Sequence, residues 1–106
     1  MNWFVYDLES YPNIWTCCIA DVATRKLKVF EVSSRKDQRE EMFEYLRNIR
    51  RQKGIMVGFN NNAYDYPLLH QFLKNKEMTP SELFEYGNKI IKSSYGDNRW
   101  QYQVKD

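Results

Sequence analysis

At 106 residues the chain holds one domain at most, enough for a single core but small for an enzyme with several substrate contacts. Its formal charge of +2 advertises no strongly basic surface, so any nucleic-acid binding must come from a local groove. Three Trp, eight Tyr and six Phe argue for a packed core against disorder.

The first apolar run, Trp3-Phe4-Val5-Tyr6, is short, aromatic and β-branched, and reads as a strand buried on both faces with Asp7 at its carboxyl end. In extended chain Asp7 and Glu9 point to one side and lie about 7 Å apart, so both can address one cation cluster. Two like charges held there repel each other. Mg²⁺ or Mn²⁺ turns that repulsion into ligation by hard oxygen donors. The alternative role for the pair is a solvated strand end before the Tyr11-Pro12-Asn13 turn.

Ile14 to Ala20 forms the second strand, and its neighbouring Cys17 and Cys18 cannot make an ordinary disulfide staple. A reduced, cytoplasmic setting fits them. Leu27, Val29 and Glu31 alternate with Lys28, Phe30 and Val32, which completes a three-stranded antiparallel meander. Ser34 and Asp37 predict a capping box for a helix over 35–52, its face made by Met42, Phe43, Leu46 and Ile49 and its end by Gly54. Lys36, Arg39, Arg47, Arg50, Arg51 and Lys53 cluster there, but Glu40, Glu41 and Glu44 interleave, which predicts a solvated face rather than a DNA track.

Ile55 to Phe59 is the next strand. Leu68, Leu69, Phe72 and Leu73 mark a helix with Pro67 in its first turn, and Asp65 is favoured near its start by the helix dipole. Within Asn60-Asn61-Asn62, Asn62 reads as the cap; His70 reads as a partly exposed polar residue. Thr79-Pro80-Ser81-Glu82 opens a third helix, with Leu83, Tyr86, Ile90 and Ile91 as its face, followed by turn-rich sequence from Ser93 to Arg99. Trp100, Tyr102 and Val104 alternate like the start of a strand. The only histidine is His70 and no CxxC occurs, which argues against structural zinc, and no apolar run suggests a membrane span or secretory signal.

The order βββαβα predicts an α/β domain over 1–106 in which a helical crossover sets the fourth strand parallel to the first. Asp7, Glu9 and Asp65 then leave neighbouring strands on the edge where open α/β sheets bind ligands.

At these residues the chain resembles the 3′–5′ proofreading exonuclease domain of family B DNA polymerases of the bacteriophage type, DEDD exonucleases of ribonuclease H-like fold. Val5-Tyr6-Asp7-Leu8-Glu9-Ser10 is similar to the family's first motif, and Asn61-Asn62-Ala63-Tyr64-Asp65 to the second, Asn-x-x-(Phe/Tyr)-Asp, while Asn60 fits a variant one residue longer. Asp-x-Glu alone carries little; both motifs, in order and each after a strand, carry much more. The likeness spans roughly residues 2 to 75.

The resemblance implies metal-dependent removal of nucleotides from single-stranded DNA 3′ ends, with Asp7 bridging two Mg²⁺ or Mn²⁺ ions, Glu9 on the nucleophile side and Asp65 on the second ion. It further implies that Asn61, with Leu8 and Tyr64, contacts the primer end, Tyr64 either stacking a base or packing its helix onto the sheet. The family's third motif, Tyr-x-x-x-Asp on a later helix, is matched only in spelling by Tyr102 to Asp106. That match is read as chance, being too close to Asp65 and strand-like in pattern. The expectation is therefore an N-terminal piece, truncated before the full domain, whose partner is the remaining polymerase polypeptide. Its cation site would be incomplete, its cation binding weak and its cleavage slow or absent. Two other functions stay open: a non-catalytic module of the same fold that binds DNA ends or a polymerase segment, and a related nuclease acting on RNA.

Overall fold

A computed structural model of the protein describes residues 2–58 and 64–95. Its elements are β1 (Trp3–Tyr11), β2 (Ile14–Asp21), β3 (Leu27–Ser33), α1 (Arg39–Arg51), β4 (Ile55–Gly58), α2 (Tyr66–Lys74) and α3 (Pro80–Tyr95). The four strands form one mixed sheet in the order β3-β2-β1-β4. The meander pairs antiparallel, and the crossover through α1 returns β4 parallel to β1, as the element order predicts. Among the described residues the last registered pair of the parallel ladder is Tyr6↔Gly58; Phe59, expected to end β4, lies outside them.

Strand alternation decides what the core is. Phe4, Tyr6 and Leu8 of β1, Trp15, Cys17 and Ile19 of β2, and Phe30 and Val32 of β3 are buried on one face. Onto that face pack Met42, Phe43 and Ile49 of α1, Leu68, Leu69 and Phe72 of α2, and Leu83 and Ile90 of α3. Phe72 sits at the centre, edge-on to Trp15 at 4.9 Å and to Phe43 at 5.2 Å between ring centroids. The other face tells against a first strand buried on both sides, since Trp3 and Val5 are exposed. β1 also runs further than its apolar core suggests, so Asp7 and Glu9 lie within the strand, opposite Cys18 and Thr16 of β2. The backbone of the Asp-x-Glu stretch is satisfied by β2, whatever its side chains do.

Helix α1 begins at Arg39, later than the expected Arg35. The reason is a return of the chain onto β3: the Gln38 backbone N–H donates to the Glu31 carbonyl at 2.8 Å, and the Glu31 N–H donates to Gln38 Oε1 at 3.1 Å. These bonds and the Val32↔Asp37 bridge hold 34–38 out of helical conformation, so Ser34 cannot act as the cap. Arg39 is a tether rather than part of a basic track. Its guanidinium donates to the carbonyls of Lys76 (2.7 Å) and Met78 (3.0 Å), clamping the connection between α2 and α3. Elsewhere on α1 the acids take up the charge: Glu44 pairs with Arg47 at 3.0 Å and Arg51 at 3.4 Å.

At the end of α1 the left-handed residue is Lys53 (φ 56°), while the Gly54 N–H donates to the Ile49 carbonyl at 2.9 Å. Gly54 is needed for a different reason. A Cβ there would lie 2.7 Å from the Phe4 ring and 2.9 Å from Ile49 Cγ2, both core side chains. The two neighbours should therefore respond oppositely in urea unfolding. Lys53→Gly is expected to gain about 1 kcal/mol by relieving left-handed strain. Gly54→Ala is expected to lose about 1–3 kcal/mol by overpacking.

Pro67 lies in the first turn of α2, where a missing N–H costs nothing. The predicted capping box of α3 forms in both directions: Glu82 N–H donates to Thr79 Oγ1 (3.2 Å) and Thr79 N–H to Glu82 Oε1 (3.0 Å). α3 then continues to Tyr95 through the stretch expected to turn at Ser93. Its buried stripe takes Leu83 and Ile90 but leaves Ile91 exposed, a correction to the expected face. Among the described residues no helix is long and apolar enough to cross a membrane. The expected strand at Trp100 to Val104 and the Tyr102 to Asp106 spelling lie outside the described residues.

Candidate active site

Asp7 and Glu9 project from the open face of β1, two residues apart on the same side, as strand geometry requires. Glu9 accepts a long hydrogen bond from the Tyr11 hydroxyl at 3.4 Å. A third acid of that face, Glu31, is held differently. The Arg35 guanidinium grips it at two points (2.8 and 3.0 Å) and the Ser33 hydroxyl donates at 2.6 Å, which holds its carboxyl down at about 2. Asp7 and Glu9 have no ion pair among the described residues.

Asp65 lies at the head of α2, in a π-type turn shared with Tyr64, and is 3 % exposed. It makes no capping bond to the helix with its side chain. Its charge is felt on the helix-covered side of the sheet, at Tyr6 and Cys17. Burial is the first cause of the upward push on both groups; Asp65 comes next at Tyr6, and at Cys17 it follows the neighbouring Cys18. Asp7 acts on Cys17 too, and on its strand partner Cys18 after burial. Both thiols are thereby kept protonated and poor as nucleophiles.

Tyr64 is where the three acids meet electrostatically. Its phenol is pushed up first by burial, then by Asp65 against the opposing influence of the Ser10 hydroxyl, and further by Glu9 and Asp7. The ring is seated against α3 at Gly87, where an added Cβ would come 3.0 Å from the phenolic oxygen. The protonated phenol thus feels the charge of all three carboxylates, Asp65 of its own turn most strongly. Leu8 lies between the two acids of β1 and is buried at 5 % exposure, so it belongs to the core. His70 is half-buried, its ring 5.5 Å from that of Tyr66, and burial followed by Lys74 pushes its pKa down.

The donors are hard oxygens, suited in kind to Mg²⁺ or Mn²⁺. In placement they are not gathered: among the described residues no three His, Cys, Asp or Glu side chains stand together closely enough to hold a metal ion. The cause is the alternation of β1, which sends Asp7 and Glu9 to the open face, while Asp65 is buried near side chains of the covered one. Asn61 lies outside the described residues. Sequence reasoning missed Ser10 and Gly87. A glycine inside the third helix was the available signal for the latter.

Comparison with protein-family models, with curated proteins and with solved structures gives no match.

Proposed function

We propose that the chain carries the first two motifs of a metal-dependent 3′–5′ exonuclease of ribonuclease H-like fold, acting on single-stranded DNA ends beside a DNA polymerase. The observation that carries this reading is the parallel β1–β4 pair, with Asp-x-Glu following its last registered rung and Tyr64-Asp65 entering the next helix. Divalent cations, when bound, would supply hydroxide at neutral pH and neutralise charge on the leaving 3′ oxygen. Asp7 and Glu9 would present charge to the cations and the terminal nucleotide. Asp65 would add the third carboxylate, and the protonated Tyr64 phenol would donate to a phosphate oxygen or its water. Asn61 is assigned to the primer end on the resemblance alone, while Leu8, also expected there, is taken up by the core.

The test is a single-stranded DNA oligomer labelled at its 5′ end, incubated with Mn²⁺ and either this chain or a form extended downstream to include a later Tyr-x-x-x-Asp. Stepwise shortening from the 3′ end by the extended form is the expected result. If that form is inert and Asp7→Ala leaves DNA affinity unchanged, the chain is a non-catalytic binding module. The ungathered carboxylates are what favour that second reading.

A further inference from the structure

Among the described residues the three helices pack on one face of the sheet, and the opposite face carries an exposed apolar field. Register places Trp3 and Val5 of β1, Ala20 of β2, Leu27 and Val29 of β3, and Ile55 and Val57 of β4 on that side. Trp3 is 48 % exposed, Leu27 60 % and Val29 53 %. Contiguous apolar surface of this kind on a sheet marks a place where another element packs. The field ends at Asp7 and Glu9, and the remaining acid, Glu31, is already neutralised by Arg35.

We infer that this open face is a docking surface for an amphipathic α-helix of another polypeptide, carrying a Leu/Ile stripe with Lys or Arg at the end that reaches Asp7 and Glu9. The lengths agree. From Trp3 to Glu9 the strand runs about 20 Å, which a helix of about 13 residues matches. Charge selects the occupant. A second copy of this chain would bring the same two acids, and among the described residues the strand register places no Lys or Arg on this face to meet them, so self-pairing would bury unpaired carboxylates. A helix with a basic end covers the apolar field and pairs the acids at once. The inference does not rest on the nuclease reading: it uses Asp7 and Glu9 only as negative charges bordering the apolar field, whether or not they also ligate a cation.

A synthetic helical peptide of about four turns, with a leucine stripe and a lysine end, is the probe. Its controls are the same peptide with glutamate in place of lysine and one with the stripe scrambled. Binding is followed by NMR on the indole of Trp3 and the methyls of Val5, Leu27, Val29 and Val57, all on the open face. Shifts confined to these groups are expected, with the lysine peptide binding at least about tenfold more tightly than the glutamate one. The double variant Leu27→Glu, Val29→Asp should abolish binding while leaving the far-ultraviolet circular dichroism and Mn²⁺ binding unchanged. Equal affinity for the lysine and glutamate peptides, or shifts on the helix-covered side, would overturn the proposal. So would sedimentation showing a dimer that the double variant dissociates, because the occupant would then be a second copy. In Asp7→Asn the advantage of the lysine peptide over the glutamate one should shrink, and an undiminished advantage would also overturn the proposal; loss of Mn²⁺ binding in that variant tests the nuclease reading separately.

Discussion

Replacing Phe72 with alanine is expected to cost about 3–5 kcal/mol, the largest effect on stability of any substitution considered. The residue is fully buried on α2, and its ring is the contact shared by Trp15 of β2 and Phe43 of α1. Arg39 lies over it at 5.5 Å from the ring centroid while its own donors hold the carbonyls of Lys76 and Met78. Removing the ring therefore leaves a cavity at the junction of the sheet and two helices and takes away a packing surface for the clamp between α2 and α3. Domains of this size are stable by about 5–15 kcal/mol, so the loss consumes a large share of the total. Urea unfolding followed by circular dichroism should show a lower midpoint with little change in slope. A loss under about 1 kcal/mol would mean that α2 is not fastened to the sheet through Phe72.

Much of this fastening was legible in the sequence because it obeys simple periods. Leu68, Leu69 and Phe72 recur at helical spacing, Phe30 and Val32 alternate, and the Thr79–Glu82 box forms as its spelling predicts. What failed were judgements that depend on neighbours. The helical start expected at Arg35 was displaced by long-range pairing of Gln38 with Glu31, which no local capping rule contains. The first strand reads as apolar through and through, yet whether its second face is covered depends on how many helices lie there, and Trp3 and Val5 are left bare. The candidate site was readable only as a proposal, from two motifs that each follow a strand. Its geometry was not, because the relation of Asp65 to Asp7 is set by the rotation of α2, and that follows from the burial of Leu68 and Phe72. The Gly87 notch that seats Tyr64 is likewise a tertiary contact with no periodic signature.

Asp7→Asn is the substitution expected to change chemistry most. Asp65 is the poorer probe, since its carboxylate is buried and any replacement there also alters packing at the head of α2. Asp7 is exposed on β1 and makes no ion pair among the described residues, so its loss should shift stability by no more than about 0.5 kcal/mol. A functional effect can then be separated from unfolding. In the form extended to a later Tyr-x-x-x-Asp, cleavage of the 5′-labelled oligomer should fall at least about a hundredfold, corresponding to a loss of roughly 3 kcal/mol of transition-state stabilisation. In the chain itself the expected readout, on the proposed function, is weak Mn²⁺ binding, seen as paramagnetic broadening of signals from Asp7, Glu9 and Tyr64, and the variant should weaken it by about tenfold or more, as losing one charged oxygen donor from a hard-cation site implies. Glu9→Gln should behave in the same direction, because both side chains leave the same face of the same strand. Gly87→Ala offers the complementary control: it crowds the Tyr64 phenol without touching a carboxylate, so it should alter substrate affinity more than Mn²⁺ affinity. Broadening that appears around Glu44 or Asp37 instead, and persists in Asp7→Asn, would place the cation on the solvated acids of α1 and its approach, and the exonuclease reading would lose its support.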